Sequence, residues 1–96
     1  MRKIEQAMNG AIALGINWAS GNTTVTTDGE GISRVYLHGN HIATVDQDTR
    51  KVIVNARTLA DYPTMTTKSR LRALGCRVST RKGVTYLNDV SIEEAL

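Results

Sequence analysis

The stretch Ile32-Ser33-Arg34-Val35-Tyr36-Leu37-His38-Gly39-Asn40-His41-Ile42-Ala43-Thr44-Val45 decides the fold. In its first half Val35 and Leu37 point one way and Arg34 and Tyr36 the other, the two-residue period of a strand with one buried face. Gly39-Asn40 then reads as a two-residue turn with Gly at the first central position, where a type II′ hairpin wants it. His41 to Val45 returns as the partner strand. An antiparallel hairpin at the centre of the chain is thus the first element, and its neighbours extend it. Upstream, Asn22-Thr23-Thr24-Val25-Thr26-Thr27 is rich in β-branched residues and is bounded by Ser20-Gly21 and Asp28-Gly29. Downstream, Gln47-Asp48-Thr49 turns the chain into a further strand over Lys51 to Val54. The middle of the chain therefore reads as an antiparallel meander of about four strands.

Helical signals flank this meander. Ile4, Met8, Ala11 and Ile12 recur at helical spacing over residues 3–14, with Lys3, Glu5, Gln6 and Asn9 elsewhere on the wheel and Gly15 as the stop. Trp18 follows and is expected to pack back on the core. Asn55 caps a short helical turn from Ala56 to Asp61, which Pro63 ends because the residue before a proline avoids the α region. Thr64, Thr66 and Thr67 offer caps for a second helix near 66–74, where Leu71 and Leu74 share one face, Lys68 and Arg72 the opposite side, and Arg70 flanks the apolar stripe. Gly75 ends it. Cys76 to Thr80 and Val84 to Leu87 form a closing hairpin with Arg81-Lys82-Gly83 at its tip, and Ser91 caps a last turn. The fold class is α+β, in one domain over residues 1–96.

Composition narrows the function. The 96 residues include no Phe, one Trp and three Tyr, so the core is built of Ile, Leu, Val, Ala and Met. A chain of this size leaves little room for a deep enclosed cavity. No apolar run approaches the roughly 20 residues of a membrane-spanning helix, and no secretory signal opens the chain. Cys76 is alone, which suits a reducing cytoplasm and a small buried side chain. Asp46 with Asp48, and Glu93 with Glu94, lack a His or Lys partner in an acid–base motif. Gly29-Glu30-Gly31 is not a phosphate loop. His38 and His41 flank the central turn and would face each other across it, but a structural zinc needs four ligands and no others lie near in sequence. No enzyme, no cofactor and no metal site are expected.

Charge carries the functional signal. Residues 1–48 sum to −2, residues 49–82 to +8 with Asp61 the one acid against nine cations, and residues 83–96 to −3, within a net charge of +3. Such asymmetry points to an anionic partner for one face. The candidate site comprises Thr66, Thr67 and Ser69 at the helix start, where free N–H groups and hydroxyls suit phosphate, with Lys68, Arg70, Arg72, Arg77, Arg81 and Lys82. The partner expected is DNA or RNA, or alternatively an acidic protein surface. An exposed edge of the meander could support a homodimer.

Two stretches carry a family resemblance: Val35-Tyr36-Leu37-His38-Gly39-Asn40-His41-Ile42-Ala43 and Tyr62-Pro63-Thr64-Met65-Thr66-Thr67-Lys68-Ser69-Arg70-Leu71-Arg72-Ala73-Leu74. Over roughly residues 32–88 the chain resembles a group of small proteins of tailed bacteriophages that share a Leu-His-Gly-Asn hairpin, a Thr-Thr-Lys-Ser-Arg-Leu helix start and a short final hairpin. The resemblance implies expression in the cytoplasm of an infected bacterium, and a role in nucleic-acid binding or in blocking host and defence proteins. The run of Pro63, helix and basic hairpin is also similar to the last part of a winged-helix reader, although the helix before it is short. The order of helix, strands and helix is similar to a double-stranded-RNA-binding domain, without that family's lysine-rich helix start.

Overall fold

A computed structural model describes residues 1–96. The chain opens with helix α1 (Lys3–Leu14) and continues through strands β1 (Trp18–Ser20), β2 (Thr23–Thr27), β3 (Ile32–Leu37), β4 (Asn40–Asp46) and β5 (Val52–Val54). Helices α2 (Ala56–Asp61) and α3 (Met65–Ala73) follow, then β6 (Val78–Arg81), β7 (Val84–Leu87), β8 (Val90–Ser91) and α4 (Ile92–Ala95). The α+β class holds. The meander has five strands rather than about four, in the order β1-β2-β3-β4-β5, and the closing hairpin gains a third strand to make a sheet β6-β7-β8. Every pairing is antiparallel.

The local rules explain most boundaries. Gly15 sits at φ 68° and donates its N–H to Ile12 O, while Ile16 N–H reaches Ala11 O, the paired bonds of a Schellman stop. A side chain at Gly15 would also meet the Gln47 amide at 3.0 Å. Asn55 caps α2 and Thr64 caps α3, their side-chain oxygens accepting from Thr58 N–H and Thr67 N–H. The central turn falls one residue earlier than the sequence suggests. Leu37 pairs with Asn40, so the turn residues are His38 (φ 51°) and Gly39 (φ 80°), both in the left-handed region that a type I′ hairpin requires. A Gly-first turn of the expected II′ kind occurs instead at Gly21-Asn22, between β1 and β2.

One face of the large sheet is the core. Val25, Val35, Leu37, Ala43 and Val45 join Met8 and Ile12 of α1, Leu59 of α2, Leu71 of α3, Val78 of β6 and Ile92 of α4 in one buried cluster. A bulge in β4 slips the register between Val35 and Tyr36, so that Ile42 and Ala43 are both buried although adjacent. On the opposite face Thr24, Thr26, Arg34, Tyr36 and Thr44 are half-buried and Ile53 is exposed. Helix α3 connects the layers: it packs on α1 and β4 on one side and on β6 on the other. That position brings the second helix and the basic hairpin side by side.

Candidate nucleic-acid interface

Helix α3 begins with its hydroxyls already engaged. Thr64 Oγ1 accepts the Thr67 N–H at 3.1 Å and bonds Thr67 Oγ1 at 2.9 Å, and Thr67 is buried. Ser69 Oγ donates to Glu5 Oε2 at 2.6 Å. Of the expected helix-start residues only Thr66, half-buried, has no side-chain partner assigned to it. Arg70 departs furthest from the expectation of a phosphate contact. Its side chain is 4 % exposed, and its Nη1 meets Glu5 Oε2 at 2.8 Å, its Nε donates to Thr23 Oγ1 at 3.0 Å, and its Nη2 to Asn22 Oδ1 at 3.3 Å. Thr67, Ser69 and Arg70 thus hold the fold and leave the candidate surface.

The Glu5–Arg70 pair was legible in principle. Thr67, Arg70, Leu71 and Leu74 lie on one helical stripe, as do Glu5, Met8 and Ile12. Opposite charges placed on two apolar stripes are a buried pair in waiting. Burial alone would raise the Glu5 pKa; hydrogen bonds from Ser69, Arg70 and the Arg2 N–H, with the guanidinium charge, outweigh it and hold the carboxyl below its ordinary range.

The remaining cations line β6, the edge strand of the small sheet. Lys68 Nζ donates to Thr80 Oγ1, and Arg72 Nε to Val78 O at 2.7 Å, so both side chains of α3 reach across to β6. Arg81 and Lys82 stand exposed at the far end of the same strand. The tip is the two-residue turn Lys82-Gly83 (φ 50° and 78°) rather than a three-residue one. Arg81 therefore pairs with Val84, on the sheet face that carries Ser79 and Tyr86, and its guanidinium carbon lies 4.1 Å from the Tyr86 ring centroid. Tyr86 was missed in the sequence because the three-residue tip hides this diagonal relation. Arg77 sits at the other end of β6, paired with exposed Asp89 at 2.9 Å. The acids Glu93 and Glu94 lie on α4, past β8 at the opposite edge of the small sheet.

Other chemistry-bearing groups are dispersed. His38 occupies the turn itself, whereas His41 pairs with Tyr36 on the outer sheet face, its ring 5.5 Å from the tyrosine and its Nε2 2.9 Å from Thr44 Oγ1. The two histidines do not face each other. Burial pushes the Cys76 thiol up, keeping it protonated at neutral pH. No three His, Cys, Asp or Glu side chains gather where a metal would bind, and no helix is long and apolar enough to cross a membrane. Two open depressions sharing Arg50, Val52 and Leu74 run beside β5, one of the two edge strands of the large sheet.

Fold and surface define a small α+β domain with a cationic strip where one helix meets the edge of a three-stranded sheet. The chain belongs to a phage protein family, described as Kyanoviridae Gp96 protein, which it matches over residues 1–95. The resemblance to phage proteins holds at that level and extends beyond the stretch that suggested it. No curated protein and no solved structure matches the chain.

Proposed function

We propose that this phage protein is a non-catalytic nucleic-acid-binding accessory factor, acting in the cytoplasm of the infected host through the strip formed by α3, β6 and β7. Lys68 and Arg72 contribute from the helix, Arg81 and Lys82 from the hairpin, and Arg77 at the margin. One observation carries this reading: Lys68 and Arg72 are both tied to β6, the edge strand that also carries Arg81, so cations from helix and hairpin line one strand, Lys68 on the face of Thr80 and Arg81 on the other. Lys68, Arg72, Arg81 and Lys82 have no carboxylate partner, so their charge remains available to phosphate. A non-catalytic role is consistent with the protonated Cys76 and the separated histidines. The test is a gel-shift titration at low and moderate salt; complexes at low salt that dissolve as salt rises support the reading, and no shift at micromolar protein overturns it.

A second reading has its own support. The free edge of β5 carries Ile53 at 68 % exposure, beside the depressions lined by Arg50, Val52 and Leu74. Such an edge suits a strand from another protein, whether an acidic host or defence protein that the chain would inhibit or a second copy of the chain. Pull-down from nuclease-treated bacterial lysate separates the readings. A stoichiometric protein partner that survives nuclease favours the inhibitor, and its loss favours nucleic acid.

A further inference from the structure

We infer that the nucleic acid taken at this surface is single-stranded, with a base stacked on the Arg81–Tyr86 pair; this rests on the reading of the strip as a nucleic-acid site. The argument begins with what α3 has left to offer. A duplex reader inserts a helix or ribbon whose side chains project to base edges. On α3, Thr67 and Arg70 are buried, Ser69 is bonded to Glu5, and Lys68 and Arg72 lie across β6. Apart from half-buried Thr66, the helix has spent its polar side chains on the protein and keeps cations at its margin.

The small sheet offers the opposite: an open face, with Arg81 and Val84 exposed and Ser79 and Tyr86 half-buried. Ser79, Arg81, Val84 and Tyr86 share it, since Ser79 pairs with Tyr86 and Arg81 with Val84. The Arg81 guanidinium over the Tyr86 ring makes a two-layer π platform, and Arg81 is itself exposed. Bases within a duplex show their edges and keep their faces stacked on each other, whereas single-strand bases can lay a face on an aromatic ring or a guanidinium plane. The cations are strung out to suit a backbone. Arg72 meets β6 at Val78 and Lys68 meets it at Thr80, two residues or about 7 Å apart along the strand, with Lys82 beyond at the tip. A single strand following β6 would pass these charges while its bases turn over onto the sheet face.

The test uses the intact protein and fluorescein-labelled oligonucleotides, a poly-thymidine single strand and a mixed-sequence duplex of equal length, titrated by anisotropy at one low salt concentration. The single strand should bind more tightly by on the order of tenfold. Arg81→Lys keeps the charge and removes the planar platform, so it should lower single-strand affinity by roughly tenfold and duplex affinity by much less. Tyr86→Ala should do the same, and a circular-dichroism melt establishes that each variant is folded. Equal affinity for both oligonucleotides, or a single-strand affinity indifferent to Arg81→Lys, overturns the inference while leaving the strip as a binding site. Failure of both oligonucleotides to bind overturns the site and the inference together.

Discussion

Replacing Arg70 by Met should unfold much of the protein's margin of stability while touching none of the surface assigned to nucleic acid. Arg70 and Glu5 are both 3 % exposed, and the pair joins α1 to α3 across 65 residues of sequence. Arg70→Met removes the guanidinium that meets Glu5, Thr23 and Asn22, leaving the Glu5 carboxylate buried with only Ser69 and the Arg2 N–H. Removing one member of a buried pair costs about 3–5 kcal/mol because the other charge is stranded. A domain of this size is stable by roughly 5–15 kcal/mol, so the loss is a large fraction of the whole. With a urea slope of about 1.5 kcal/mol/M, a 4 kcal/mol loss lowers the unfolding midpoint by roughly 2.7 M. Glu5→Leu alone should also be costly, and the double variant Glu5→Leu/Arg70→Met should lose less than the two singles together. Urea unfolding followed by circular dichroism gives all four corners of the cycle. If Arg70→Met cost less than about 1 kcal/mol with no coupling to Glu5, the guanidinium would be solvated in solution, and Arg70 would return to the candidate binding residues.

The same pair sets the acid limb of stability. The folded pKa of Glu5 lies below its ordinary value, so its contribution is complete above the ordinary carboxylate range and is lost as pH falls through the depressed folded value. Urea midpoints measured from neutral pH into acid should fall in the native protein, and less steeply in Glu5→Gln. Cys76, whose thiol is pushed up by burial, should react with a disulfide reagent far more slowly in the folded protein than in urea; equal rates would show it exposed. His38→Asn creates an Asn-Gly pair at a turn where both φ values are positive, and should raise stability by a few tenths of a kcal/mol in thermal melts; a loss would mean that the turn is not of the I′ kind.

Much of the fold was legible because local signals were strong. The alternation at Ile32 to Leu37, the stripe of α1 with Gly15 behind it, and the Asn55 cap with Pro63 each name an element without tertiary help. Strands β1 and β8 were not legible. They have three residues and two, and they exist through pairing with β2 and β7 rather than through any pattern of their own. The turn at His38-Gly39 was misplaced by one residue because Gly39 suits the first central position of a II′ turn as well as the second of a I′ turn, which it takes here. The charge count located the basic region but could not sort its members. Arg70 and Arg72 look alike in a tally; one faces α1 and Glu5, the other β6 and solvent. The Arg81–Tyr86 contact needed the hairpin register, which the two-residue tip fixes.

The central claim is that the α3–hairpin strip binds nucleic acid through cations the fold leaves unpaired. The most direct measurement is the salt dependence of oligonucleotide affinity for the native protein and for Lys82→Asn. That substitution removes one charge and places Asn-Gly in a turn with both φ values positive, so the hairpin is kept. With Lys68, Arg72, Arg81 and Lys82 each meeting a phosphate, the logarithm of the single-strand association constant should fall against that of salt with a slope of about −2.8. In Lys82→Asn the slope should shrink by about 0.7 with weaker binding at low salt. Absence of binding at micromolar protein, or a slope that Lys82→Asn leaves unchanged, would contradict the account.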